Sequence, residues 1–307
     1  MTYATTAATS ASAAQLFGSS LVAMVSPMKP DGSLDESGTH KLVEHLLATG
    51  CDGLVVTGTT GESPTLSEDE SNALLASVVE QAGGRARVIA GVGSYDTVST
   101  VRRAQQAEAA GAHGLLVVCP YYSKPTQAGV AAHFVAVADA TELPVMLYDI
   151  PGRAGIPIEE ATLQTLAAHP RIRAVKDAKG DLFQAMSLMQ STTLAYYCGI
   201  DELNLPYLAC GATGLVSVVG NVAGDRTAEL IRAVRRGDLA AARAINESLM
   251  PLTRVLMRTS SGAIMAKAAL AELGIIEDAT VRLPLVESPA EHLALLREVL
   301  GEVAVAA

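Results

Sequence analysis

Short apolar runs alternate with longer stretches of helical period along most of this chain. The runs Leu21–Ser26, Gly53–Thr57, Val88–Val92, Gly114–Cys119, Pro144–Tyr148, Ile172–Lys176, Leu194–Cys198 and Gly214–Val218 are rich in Val, Ile and Leu. Most are apolar throughout instead of alternating, the pattern of parallel strands buried on both faces. Between them, Ser37–Thr49, Glu68–Gln81, Thr97–Ala110 and Gln127–Ala140 carry the helical period. Strand–helix alternation predicts a parallel α/β architecture. Eight units within roughly 230 residues fit a closed (β/α)8 TIM barrel better than an open sheet. Gly50, Gly111 and Gly211 recur just ahead of strands, as helix C-caps that need the left-handed conformation.

After Val219 the strand signal stops. Thr227–Arg235 reads as the eighth barrel helix, and Leu239–Arg258, Gly262–Leu273 and Pro289–Leu300 as a C-terminal helical appendage. Pro251 is expected to kink or break the first of these. The opening stretch to Ala14 is rich in Ala, Thr and Ser, has no Lys or Arg for a signal-peptide n-region, and reads as a floppy arm. The predicted organisation is an arm over 1–18, a barrel over 19–236 and a three-helix domain over 237–307.

Composition narrows the function class. A net charge of −10 argues against nucleic acid and anionic lipid as partners. No apolar run approaches the ~18 residues of a membrane span. Cys51, Cys119, Cys198 and Cys210 are scattered without metal-binding spacing, which suits free thiols in a reducing, cytoplasmic compartment. The six histidines show no metal spacing either, so metal catalysis is not expected.

Catalytic groups of such barrels sit where strands end and βα loops begin. The polar residues there are Gly58-Thr59-Thr60-Gly61-Glu62-Ser63, Pro120-Tyr121-Tyr122-Ser123-Lys124, Tyr148-Asp149-Ile150-Pro151-Gly152-Arg153, Lys176-Asp177-Ala178-Lys179-Gly180, Gly199-Ile200-Asp201-Glu202 and Val216-Ser217. Of the six lysines only Lys176 lies inside a predicted strand; Lys124 and Lys179 fall in loops expected to be solvated, and Lys267 in the appendage. Burial of a lysine disfavours its ammonium form and leaves an amine able to attack a carbonyl. The competing reading is a lysine salt-bridged to Asp177 or another carboxylate. Three of the eight tyrosines, Tyr121, Tyr122 and Tyr148, cluster at strand ends beside paired threonines. Such hydroxyls both donate and accept and can relay protons, although a single tyrosine is often a core aromatic.

These segments, in this order, resemble the superfamily of dihydrodipicolinate synthases and N-acetylneuraminate lyases from about Leu21 to the C-terminus, most closely the actinobacterial synthases. The resemblance implies a Schiff-base (class I) condensation of pyruvate with L-aspartate 4-semialdehyde to 4-hydroxy-tetrahydrodipicolinate, at the entry to the diaminopimelate route to lysine. It implies Lys176 as the imine-forming amine, Tyr148, Thr59 and Tyr122 as the proton relay, and Tyr121 at a subunit contact. Thr60, with the backbone near Val216 and Gly199, would hold pyruvate, and Arg153 the carboxylate of the aldehyde. It further implies no cofactor beyond pyruvate bound on Lys176, and a homotetramer built as a dimer of dimers. A sugar-acid or 2-oxo-acid lyase of the same superfamily, or a non-catalytic barrel used as a binding module, are the alternatives.

Several positions depart from the family pattern. Lys179 replaces Thr or Ser, Ile200 replaces an acidic residue after Gly199, which would alter how the strand-seven loop is held, and Val216 is smaller than the usual Ile or Leu. Pro64, Glu68, Ser71, Tyr95 and Ser99 stand where inhibited relatives bind lysine, so weak feedback by lysine is expected.

Overall fold

In a computed structural model, which describes residues 3–305, eight parallel strands close a barrel in sequence order. They are β1 (Ser20–Ala23), β2 (Gly53–Val56), β3 (Arg87–Gly91), β4 (Gly114–Val118), β5 (Val145–Asp149), β6 (Ile172–Asp177), β7 (Ala195–Cys198) and β8 (Gly214–Ser217), with β8 pairing back onto β1. Each lies within a few residues of a predicted run. The largest difference is β1, which stops at Ala23 instead of Ser26 because side chains capture the backbone beyond it. Val25 N–H donates to Asn221 Oδ1 and Ser26 Oγ donates to the Gly61 carbonyl.

Before the barrel lies α1 (Tyr3–Phe17). Around it run α2 (Glu36–Ala48), α3 (Glu68–Ala82), α4 (Thr97–Ala109), α5 (Gln127–Asp139), the short α6 (Pro151–Ala154), α7 (Glu160–Leu166), α8 (Leu182–Ser191), α9 (Asn204–Ala209) and α10 (Gly220–Arg235). The appendage is α11 (Leu239–Arg258), α12 (Gly262–Glu272) and α13 (Ala290–Val305). Among the described residues no helix is long and apolar enough to cross a membrane.

Three expectations need correction. The N-terminal segment is not an irregular arm: α1 is helical, and its end closes the bottom of the barrel. Phe17 is fully buried, packs edge-on against Tyr197 at 6.2 Å, and Tyr197 Oη donates to the Gly18 carbonyl at 2.8 Å. This plug explains glycine at two strand starts. A Cβ on Gly114 would lie 2.8 Å from the Phe17 ring, and one on Gly53 2.6 Å from the Phe17 carbonyl. Second, α11 runs unbroken through Pro251. Pro251 and Glu247 are both exposed, so the Glu247 carbonyl that the proline leaves without a donor faces water. Third, helical backbone starts at Gly220, ahead of the predicted Thr227, but it breaks at the non-helical Ala223 (φ −125°, ψ 51°), so a short first turn precedes the main part of α10.

Two apolar layers result. One fills the space between strands and helices. The other lies inside the barrel and includes Leu21, Val55, Ile89, Leu116, Met146 and Val216 above Phe17. Lys176 and Tyr148 sit above this inner layer.

Candidate active site

Strand alternation decides where the lysine points. In β6, Ala174 belongs to the inner layer and Val175 to the outer one, so Lys176 faces into the barrel and Asp177 away from it. In β5, Met146 and Tyr148 face inward in the same way. Tyr148 and Lys176 are register partners on adjacent strands, and Lys176 Nζ lies 4.1 Å from the centroid of the Tyr148 ring. Lys176 is 5% exposed and, among the described residues, makes no ion pair. The salt-bridged alternative is therefore not met: Asp177 points outward and accepts from Lys179 N–H at 2.9 Å. Gly199 keeps this space open, since a Cβ there would press within 3.0 Å of Lys176 Cγ.

Thr59 and Thr60 lie on the turn after β2, Thr59 exposed and Thr60 buried. A small cleft joins Thr59 and Ser63 to Leu116, Val118 and Tyr148. Non-glycine residues in the left-handed region bracket the turn, Thr57 at φ +54° and Glu62 at φ +56°. For a β-branched residue such as Thr57 this is an outlier that the surroundings must hold. Thr57 is held by its hydroxyl, which donates to the Val56 and Gly91 carbonyls.

Outside the barrel wall the same register sets Asp149 beside Asp177. Both are buried, and burial pushes both carboxyls up. Like charges side by side on neighbouring strands repel, and Lys179 answers this. Its Nζ lies 3.0 Å from Asp149 Oδ2 and its N–H caps Asp177. The expectation of a solvated loop lysine is thus corrected: the Lys179 side chain is 15% exposed and belongs to the support beneath the site.

The loop after β7 is held by Asp201, a residue to which sequence reasoning gave no role. Its carboxylate accepts from Ser217 Oγ, from Val218 and Val219 N–H at 2.8 and 3.1 Å, and from Asn204 Nδ2 at 3.0 Å. Burial pushes this carboxyl up and the four donors pull it back. The loop is therefore tied to the end of β8, next to Val216, whatever side chain stands at 200. A carboxylate opening a short turn after a strand was the visible signal; its partners at the end of the neighbouring β8 were not.

Tyr122 and Arg153 do not join the others within the single chain. Tyr122 is 91% exposed with φ +74°, on a loop where Lys124 is also left-handed at φ +48°. Tyr121 instead packs edge-on against Tyr95 at 5.5 Å. Arg153 lies exposed on α6 at the rim and makes no ion pair among the described residues, which leaves its guanidinium open to a ligand.

Comparison with known proteins agrees with this geometry. The family model described as the dihydrodipicolinate synthetase family matches residues 16–303. The 4-hydroxy-tetrahydrodipicolinate synthase of Mycolicibacterium paratuberculosis is 54% identical over 279 residues, 91% of this chain and 92% of the relative. That of Kineococcus radiotolerans is 51% identical over 289 residues, 94% of each. Among solved structures, the dihydrodipicolinate synthase of Aquifex aeolicus superposes with a TM-score of 0.90 at 37% identity, covering 93% of this chain and 98% of its own. The chloride-inhibited synthase of Acinetobacter baumannii, complexed with pyruvate, gives 0.90 at 35% identity with the same coverage. With a family match over nearly its whole length, this chain belongs to the dihydrodipicolinate synthetase family.

Proposed function

We propose that this protein is a Schiff-base lyase that condenses pyruvate with L-aspartate 4-semialdehyde to give 4-hydroxy-tetrahydrodipicolinate. The single observation that carries the reading is the unpaired, buried Lys176 amine set over the Tyr148 ring at the mouth of the barrel. The relatives' names and the Acinetobacter baumannii complex with pyruvate support the substrate choice.

The Lys176 amine attacks the keto carbon of pyruvate, and protons passed through Tyr148 and Thr59 release water and leave an iminium. The iminium accepts the electron pair of a methyl C–H bond as that proton leaves, giving an enamine. The enamine carbon then bonds to the aldehyde carbon of the second substrate. The product's own amine displaces Lys176 as the ring closes. Lys176 supplies the electrophile, so this scheme uses no metal or organic cofactor. Thr60 and the backbone near Gly199 and Val216 hold the pyruvate carboxylate, and Arg153 grips that of the aldehyde in a bidentate pair. A free guanidinium at the rim favours a carboxylated aldehyde over a sugar acid.

Tyr122 enters the relay through a second copy of the chain, within a homotetramer. Its exposure and left-handed backbone support this role, because strain at an unsupported surface residue needs a partner to hold it. We place the reaction in the cytoplasm, consistent with the four free thiols.

Borohydride trapping followed by peptide mapping tests the proposal. Pyruvate with borohydride adds a reduced pyruvyl group to the peptide that carries Lys176, and N-acetylneuraminate gives no turnover. An unmodified Lys176, or an adduct on Lys179, contradicts the proposal.

Lysine is expected to leave the rate unchanged at sub-millimolar concentration. Glu68, the acidic group offered at the feedback position, is already engaged by Arg102 at 2.5 Å and Arg103 at 3.6 Å. Steady-state inhibition in that range would overturn this.

A further inference from the structure

Glu62 closes the turn that carries Thr59 and Thr60. Its carboxylate is fully buried against a fully buried lysine of the appendage: Glu62 Oε1 lies 2.5 Å from Lys267 Nζ on α12. Glu62 Oε2 accepts from Arg282 N–H at 3.0 Å, from 220 positions along the chain, and Lys267 Nζ also donates to the Thr280 carbonyl at 2.7 Å. The Arg282 guanidinium continues the stitching, with two bonds to Glu70 at 2.8 and 2.5 Å and one to the Thr65 carbonyl at 2.8 Å. The loop at 280–282 is thus fastened to both the turn and the helix that follows it.

A buried ion pair is a poor device for stability alone, because desolvation offsets most of its attraction. Here it meets the left-handed Glu62, whose backbone N–H donates to the Thr59 carbonyl at 3.2 Å. A residue in that conformation keeps it only where its surroundings over-determine it. We propose that the Lys267–Glu62 ion pair positions the threonine turn for catalysis, so that the helical appendage takes part in turnover without touching substrate. This rests on the aldolase reading, in which Thr59 relays protons. Lys267 is a positioning residue.

The test measures kcat and the single-turnover rate of imine formation at a temperature where circular dichroism shows each variant folded. Lys267→Met lowers both by about 10- to 100-fold, the scale of a small misplacement of reacting groups, while KM for pyruvate rises by a smaller factor. The double variant Glu62→Gln/Lys267→Met leaves no orphaned buried charge and carries the test if the single variant does not fold. It regains the parent melting temperature and stays at least about 5-fold slow. Leu256→Ala, a buried change in α11 that breaks no bond to the turn, lowers the melting temperature and leaves kcat unchanged. Parent-level kcat in the double variant, or equal slowing by Leu256→Ala, reduces the pair to a structural role and overturns the proposal. Trapping on the parent enzyme separates the two readings. No adduct sinks the aldolase reading itself, whereas an adduct with an unslowed double variant sinks the clamp alone.

Discussion

Lys176→Met removes the borohydride adduct and lowers kcat/KM by at least about 10⁴-fold, the order seen when the nucleophile of a covalent mechanism is deleted. Methionine has nearly the length of lysine and fits the same slot above Ala174, between the Tyr148 ring and Gly199. No carboxylate is left orphaned, because Nζ pairs with none among the described residues. The variant therefore melts near the parent temperature, and the loss is chemical. Circular dichroism melting beside a coupled assay separates the two effects. Turnover within tenfold of the parent would show that another amine carries the imine. Lys179, the nearest alternative in sequence, is poorly placed for this, because its Nζ is committed to Asp149 and lies on the outer side of the wall.

Tyr148→Phe keeps the ring beneath Lys176 and removes only the hydroxyl. The expected loss in kcat is about 10²- to 10⁴-fold, the usual worth of a positioned general acid or base. Imine formation slows without being abolished, since the amine remains. The hydroxyl bonds to no other residue among those described, so stability should hold and KM for pyruvate should change little. Rapid-quench borohydride trapping reads the slowed step directly. A parent-like rate of imine formation in this variant would remove Tyr148 from the relay.

Much of the barrel was legible because a parallel strand buried on both faces must be apolar throughout, and eight such runs recur. The alternation that aims Lys176 inward is equally a property of the strand. Its meeting with Tyr148 was legible only as two residue types at strand ends, because register between β5 and β6 is set by packing and by the irregularity at Val145 and Met146. The helix α1 was missed because its Ala, Ser and Thr carry almost no apolar stripe; its end is fixed by contacts of Phe17 with strands far along the chain. Lys179 looked solvated because nothing local betrays Asp149, thirty positions earlier, as its partner. Glu62 and Lys267 stood in plain view as charged residues. Their pairing joins a turn to a helix at the far end of the sequence, and no periodicity reports that.

The sealed floor formed by Phe17 turns the barrel into a cul-de-sac. Whatever reaches Lys176 has to enter and leave at the other end, where the strands finish. On the proposed assignment, with the aldehyde's carboxylate held by Arg153, the smaller keto acid arrives first and lies deeper. Sequential occupancy, with the first molecule tethered before the second is admitted, then follows from the shape of the vessel.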